Sequence, residues 1–237
     1  AFLLNNSFNM VLLDLAPISN YIINIMIPTT TVSGHIKHIL NETESEIIFV
    51  DDEKELQKIK LIKKDLLFLK KAVLLSGHSA EDWVIPLNEF LDKKSDALIK
   101  KKDIHEIATI MYTSGTTGEP KGIMFTYMNI IFKRFCRAIA IPEINDSDSF
   151  LAYLPMYHTF GRYFEMMGAI FWGAEYSFME NPSLEAMVDN MNRVKPTIFI
   201  SIPKKWMQLY EKINEICDVE FASKEEIIIS IKQVTGG

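Results

Sequence analysis

One run of eleven residues concentrates the groups that could do chemistry: Tyr112-Thr113-Ser114-Gly115-Thr116-Thr117-Gly118-Glu119-Pro120-Lys121-Gly122. Glycines at 115, 118 and 122 admit positive φ, which turns backbone N–H groups inward and makes a concavity for anions. The hydroxyls of Thr113, Ser114, Thr116 and Thr117 add side-chain donors, and Lys121 adds a compact positive charge. Together these groups suit a polyphosphate. The spacing excludes a Walker A loop: Gly115 and Gly118 are three apart, Lys121 follows proline, and Gly122 stands where a metal-binding hydroxyl is required. A dinucleotide-binding fingerprint is excluded too, because the chain has no Gly-x-Gly pair. The competing reading is a flexible Gly/Ser/Thr connector. The setting argues against it, with an apolar strand on one side and a lysine held next to proline on the other.

A second candidate is Leu154-Pro155-Met156-Tyr157-His158-Thr159-Phe160-Gly161-Arg162. It sets one histidine among aromatics after a strand. An isolated histidine of this kind is ordinarily a satisfied core or loop residue, so the residues alone leave its role open.

The elements that must position these runs are legible from periodicity. Residues 107–111 form an apolar strand feeding the first run, and 123–126 lead out of it. Thr126 then caps a helix whose stripe is Met128, Ile131, Phe132, Phe135, Cys136 and Ile139, with Lys133, Arg134 and Arg137 expected to face solvent. Cys136 lies on the stripe and is expected to pack there rather than react. Upstream, residues 8–15 fit a helix face, 21–27 a strand stopped by Pro28, and Ser33 an N-cap for a helix burying Ile36, Ile39 and Leu40. Strands follow at 47–50 and 72–75, an alternation that favours a parallel sheet with helices on its faces. Downstream, a strand at 150–154 precedes the histidine. Residues 163–178 are rich in Met, Phe, Trp and Tyr, which core packing explains and which could also wall a greasy pocket. Asn181-Pro182 opens a helix with the stripe Leu184, Met187, Val188 and Met191, ended by Lys195-Pro196. A strand at 197–202, a helix from Pro203 with Trp206, Leu209, Tyr210 and Ile213 on one face, and a strand at 227–231 complete the reading. The charge-dense stretches 51–65 and 93–105 read as solvated helix or connector. The second of them divides an early α/β subdomain, 1–105, from a subdomain, 106–237, that carries the phosphate-suited run and the apolar pocket candidates.

Residues 112–122 resemble, position by position, the signature loop of the adenylate-forming superfamily: acyl-CoA synthetases, nonribosomal adenylation domains and luciferases. The resemblance implies an α/β fold, the N-terminal part of that superfamily's large domain, with mostly parallel sheets flanked by helices. It implies that Thr113, Ser114, Gly115, Thr116, Thr117, Gly118 and Lys121 hold the β- and γ-phosphates of ATP while a carboxylate attacks the α-phosphorus. Thr116 and Lys121 are then catalytic. Leu154-Pro155-x-x-His158 is similar to the acyl-CoA synthetase string that sets a histidine beside the reacting carboxylate, which makes His158 the third catalytic candidate. The continuation through Phe160 and Arg162 looks most like the long-chain fatty-acid ligases, although Gly161 stands where those commonly carry glutamate. Ile202-Pro203-Lys204-Lys205-Trp206 resembles a family Val-Pro-Arg-x-Trp with lysine for arginine, a change that matters only at a bidentate site. Asp14-Leu15-Ala16 matches a short family string. Thr235-Gly236-Gly237 resembles the family's Ser-Gly-Gly-Ala, so Gly236 and Gly237 are implied on the adenine and acyl side of the site. The family's later motifs lie downstream of Gly237, so the chain is expected to be the front part of a longer enzyme and inactive alone.

The implied activity is activation of a carboxylic acid, a long-chain fatty acid by resemblance, through an acyl-adenylate to acyl-CoA. ATP, magnesium and coenzyme A take part, and no residue is marked as a metal ligand. Two alternatives stay open: an adenylation domain that loads a carrier protein, and a nucleotide-binding or oligomerising module without turnover. A net charge of −6 with no basic patch argues against nucleic acid. Cys136 and Cys217 have no metal-ligand spacing and favour a reducing, cytoplasmic setting over a disulfide framework. No apolar run reaches membrane-spanning length, so membrane contact is expected to be peripheral at most.

Overall fold

A computed structural model describes residues 1–92, 103–113, 118–179 and 181–236. The chain divides into two compact units, Ala1–Phe132 and Lys133–Gly237. The strands flanking the 112–122 run belong to the first unit's sheet. Residues 93–102, within the charged stretch expected to link two subdomains, lie outside the described residues.

The first unit is built on seven strands: β1 (Phe2–Leu3), β2 (Asn24–Met26), β3 (Ile47–Val50), β4 (Lys71–Leu74), β5 (Val84–Pro86), β6 (Ile107–Thr113) and β7 (Lys121–Thr126). Their order is β5-β4-β3-β1-β2-β6-β7. Every neighbouring pair is parallel except β6 and β7, which are antiparallel. Helices α1 (Phe8–Ser19), α2 (Ser33–Glu42), α3 (Glu53–Lys60) and α4 (Leu87–Leu91) occupy the connections. Parallel neighbours need such crossovers, and the strands they cover read as continuous apolar runs. Ile48, Val50, Ala72 and Leu74 are accordingly buried in one cluster with Ile36, Ile39 and Leu40 of α2 and Leu56 and Ile59 of α3.

Local chemistry sets the ends of these elements. Ser7 caps α1 by accepting from the Met10 amide at 3.1 Å, and Asp52 caps α3 by accepting from the Glu55 amide at 3.0 Å. The expected strand at 21–27 is shorter, because the Ile22 amide bonds back to the Pro17 carbonyl at 2.9 Å and Tyr21 has φ +57°. Those residues wrap the end of α1 and are unavailable to a sheet. Ser33 is not the cap of α2 but its first helical residue; Val32, extended and without a side-chain cap, precedes it. Inside the unit, the Asn24 amide donates to Asp14 Oδ1 at 2.6 Å, and Thr109 Oγ1 donates to the Asn24 carbonyl at 3.1 Å. Asp14 is thus a buried structural acceptor tying α1 to β2, and Asn24 carries the connection on to β6.

Helix α5 (Tyr127–Ala140) runs across the division between the units. Thr126 caps it as expected, accepting from the Asn129 amide at 3.2 Å. Its faces are the reverse of the expectation. Ile131, Phe132, Phe135, Cys136 and Ile139 are exposed, and Arg134 is buried. The second unit supplies the reason: Lys133 Nζ lies 5.1 Å from the Tyr163 ring centroid and Arg137 Cζ 4.2 Å from that of Phe164. Aromatic faces recruit the cationic side of the helix. Burial and the neighbouring Arg137 charge push the Arg134 guanidinium down to about 10.

The second unit continues with β8 (Ser149–Ala152), a π-helical turn (Phe160–Met166), α6 (Met167–Trp172) and β9 (Glu175–Phe178). Three helices follow: α7 (Leu184–Val194), α8 (Pro203–Asn214) and α9 (Lys224–Thr235). β8 and β9 pair in parallel. Their core partner is a cluster of Met179, Met187, Met191, Leu209 and Val234 around Leu151. Three expectations are corrected. The 197–202 segment makes only an isolated bridge, Ile198 to Phe150. Residues 227–231 belong to α9, where Ser223 and Glu226 form a reciprocal capping box that commits the segment to helix. Ser183, not Asn181, caps α7; the Asn181 side chain instead accepts from the Ser183 amide at 2.9 Å. On α8 only Leu209 is buried, while Trp206 and Tyr210 are largely exposed. Among the described residues no helix is long and apolar enough to cross a membrane.

Candidate active site

In the first unit, β6 and β7 bring two of the sequence candidates together. Thr113, the last residue of β6, is the register partner of Lys121, the first of β7. The two ends of the run therefore lie on adjacent antiparallel strands, with a hydroxyl and an ammonium side by side. Both are exposed. Between them, Gly118 has φ +90° with open space around it, and Pro120 is buried, anchoring the return to the sheet. Ser114, Gly115, Thr116 and Thr117 lie outside the described residues. Beside this pair, Gly34, His35, Lys37, His38, Asn41 and Glu42 of α2 face Glu119 across an open cavity of about 610 Å³.

One step back from the pair, Tyr112 lies opposite Gly122 and its hydroxyl donates to Glu42 Oε2 at 2.5 Å. Burial and the Glu42 carboxylate hold the Tyr112 phenol well above its usual range. A Cβ on Gly122 would sit 3.0 Å from Ile110 Cγ2 and 3.1 Å from Tyr112 Cζ. Glycine there lets the ring lie flat across the neighbouring strand.

In the second unit, the 154–162 string is a tight turn locked onto the π-helical segment. The His158 amide donates to the Pro155 carbonyl at 2.9 Å, and the Arg162 amide donates to the His158 carbonyl at 3.0 Å. The Phe160 amide donates to His158 Nδ1 at 3.3 Å. That bond makes Nδ1 an acceptor and leaves Nε2 as the N–H edge of an exposed ring, available to a carboxylate. A Cβ on Gly161 would fall 2.5 Å from the Pro155 carbonyl oxygen and would also strike that of Leu154. Any side chain at this position would therefore force the backbone of the turn to shift. Arg162 is fully buried, its guanidinium 5.3 Å from the Tyr163 ring centroid. Single π-helical turns within helices concentrate at functional sites.

Glu165, in the same turn, was not anticipated, although a carboxylate inside the apolar 163–178 stretch is a visible signal. It is 1% exposed, with no side chain among the described residues paired to its carboxyl oxygens. Burial pushes its carboxyl up to about 9, only partly offset by the Leu154 amide, and the Tyr176 phenol beside it is raised as well. The side chain is thus an uncharged acid at neutral pH. Gly236 caps α9 with φ +84°, against Asn192, whose amide donates to the Val234 carbonyl at 3.0 Å. Gly237 lies outside the described residues. Among the described residues no group of three or more His, Cys, Asp or Glu side chains could hold a metal ion.

Comparison with known proteins supplies the context for these two groups. A family model described as AMP-binding enzyme matches residues 1–237. A long-chain-fatty-acid–CoA ligase of Rattus norvegicus is 27% identical over 220 residues, covering 87% of this chain and 30% of the relative. The long chain acyl-CoA synthetase 4 of Arabidopsis thaliana is 29% identical over 197 residues, covering 76% of this chain and 29% of that protein. The chain thus spans about 30% of the length of such relatives. Among solved structures, a long-chain-fatty-acid-CoA ligase from Archaeoglobus fulgidus superposes with TM-score 0.75 at 22% identity, over 90% of this chain and 41% of that one. An anthranilate CoA ligase in complex with anthranoyl-AMP superposes with TM-score 0.81 at 19% identity, over 100% of this chain and 48% of that one. The mixed α/β fold with a mainly parallel seven-stranded sheet is shared with these adenylate-forming enzymes.

Proposed function

The chain belongs to the AMP-binding enzyme family, and from that premise we propose that it carries the phosphate- and acid-binding part of an ATP-dependent acid–CoA ligase acting on a long-chain fatty acid. The observation that carries the reading is the β6–β7 pairing, where Thr113 and Lys121 are register partners at the ends of a run matching the family loop throughout. The acid is assigned from relatives that are long-chain-fatty-acid–CoA ligases.

In this reading a carboxylate oxygen attacks the α-phosphorus of ATP. The α–β phosphoanhydride bond breaks, pyrophosphate leaves with the electron pair, and an acyl-adenylate forms. Coenzyme A thiol then attacks the acyl carbon and AMP departs. Charge gathers on the leaving pyrophosphate, so donors fixed on its oxygens lower the barrier by electrostatic preorganisation. Ser114, Gly115, Thr116, Thr117 and Gly118 supply backbone and hydroxyl donors, Thr113 flanks them, and Lys121 supplies charge. His158 Nε2–H orients the acid, with Nδ1 already engaged by the Phe160 amide. Gly236 and Gly237 are assigned to binding of adenine and the acyl group from the resemblance of Thr235-Gly236-Gly237 to the family string. Magnesium would accompany the triphosphate and screen its charge; no described residue is assigned to it, and no step runs through it. Two unpaired cysteines fit a reducing compartment, the cytoplasm.

The test is acid-dependent ATP–pyrophosphate exchange in the intact protein. Thr116→Ala combined with Lys121→Ala should depress exchange by about 10²-fold or more while leaving the thermal midpoint nearly unchanged, since Lys121 is exposed. Unaltered exchange in that double variant would refute the phosphate role.

A further inference from the structure

The Tyr112 hydroxyl reaches across from β6 to Glu42 at the end of α2, and its ring covers Gly122 on β7. Three elements therefore meet one residue inside the Thr113–Lys121 pair. We infer that Tyr112 and Glu42 are positioning residues for Lys121, holding the β6–β7 register at which its side chain leaves the sheet.

The argument is geometric. Among the described residues β7 is the edge strand of the sheet, paired with β6. Its first four residues, Lys121 to Met124, are exposed, so little packing fixes that end. An antiparallel register that slips by one residue turns every side chain to the opposite face. Slippage here would carry Lys121 to the other face of the sheet. What opposes it is the Tyr112 ring lying over a position that only glycine can occupy without pushing the ring away. The ring is in turn tethered through its hydroxyl to a helix on another part of the sheet. A tyrosine buried this deeply needs a partner for its hydroxyl, and the 2.5 Å bond to a carboxylate is of the short, charge-assisted kind. Among the described residues Glu42 Oε2 also lies 3.6 Å from His38 Nε2, one turn back on the same helix.

The inference rests on the reading that Lys121 meets the phosphates, and the experiment separates the two. ATP–pyrophosphate exchange is measured in the intact protein for Tyr112→Phe, Glu42→Ala, Glu42→Gln, His38→Ala and Lys121→Ala, and for Tyr112→Phe combined with Lys121→Ala. Tyr112→Phe and Glu42→Ala should each lower kcat by about tenfold, since misplacing a charged group by an ångström costs that much or more. Neither should move the thermal midpoint in proportion. Glu42→Gln keeps an oxygen for the tyrosine hydroxyl and should recover most of the activity lost in Glu42→Ala. His38→Ala removes the second neighbour of Glu42 and leaves the tyrosine hydroxyl bond in place, so it should cost less activity than Glu42→Ala. In the Lys121→Ala background the tyrosine change should add little, because its effect passes through the missing ammonium. Full independent losses in the combined variant, a Tyr112→Phe enzyme within twofold of wild type, or no recovery with Glu42→Gln would overturn the positioning role while leaving the phosphate reading intact. Unchanged exchange in Lys121→Ala would overturn both.

Discussion

Replacing Glu165 by glutamine should abolish a pH dependence of stability that the wild-type protein carries. The carboxyl ionises near 4.5 in an unfolded chain and at about 9 in the fold, because burial penalises the charged form. The folded state therefore holds a proton that the unfolded state releases. Stability from this group is complete below about 4.5, falls as pH rises, and levels off above about 9. Within that window each pH unit is worth about 1.4 kcal/mol. With the residue only 1% exposed, little solvent screening reduces the figure. Between pH 5.5 and 7.5 the wild-type protein should thus lose about 3 kcal/mol relative to Glu165→Gln, whose side chain is nearly isosteric and never ionises. The assay is urea denaturation of both proteins at pH 5.5, 6.5, 7.5 and 8.5. Taking the difference between them at each pH cancels every other titrating group. Near pH 5 the two should agree to about 1–2 kcal/mol, the cost of fitting an amide where an acid sat. A difference that stays constant from pH 5.5 to 8.5 would refute the reasoning, since it would mean the carboxylate is ionised and paired in the fold.

Three further outcomes are expected. Gly161→Ala should destabilise the second unit by about 1–3 kcal/mol, and Gly161→Glu by more, because either Cβ strikes the Leu154 and Pro155 carbonyls; a melting midpoint within a degree of wild type would exclude that packing. His158→Ala in the intact protein should slow acid-dependent exchange by about tenfold to 10²-fold with little change in melting, as the ring is exposed; a large stability loss with normal turnover would make it structural. Cys136 should react with a thiol-modifying reagent at a rate close to that of a small free thiol, since it is exposed; protection of this cysteine until denaturant is added would show the apolar face of α5 to be covered.

Short-range chemistry determined most of what the sequence alone could show here. The 112–122 run declares a phosphate-binding composition because its glycines, hydroxyls and lysine are contiguous. The parallel α/β architecture is legible because strands covered on both faces read as unbroken apolar runs, as at 47–50 and 72–75. Caps at Thr126 and the helix start at Pro203 depend on neighbours a few residues away, and the sequence shows them. Tertiary structure decided whatever depended on a distant partner. Helix α5 has a clean apolar stripe, yet its cationic side is the one drawn inward, because Tyr163 and Phe164 offer aromatic faces to Lys133 and Arg137. Periodicity reports that a helix has two faces and cannot say which neighbour each will find. Residues 227–231 are a different case: they satisfy strand propensity, but the Ser223–Glu226 box just upstream, a local signal, commits them to helix. Glu165 became an uncharged acid, and Glu42 a tether for Tyr112 from 70 residues away, only when the chain folded. Desolvation and long-range hydrogen bonds are properties of the packed molecule, and no window along the sequence contains them.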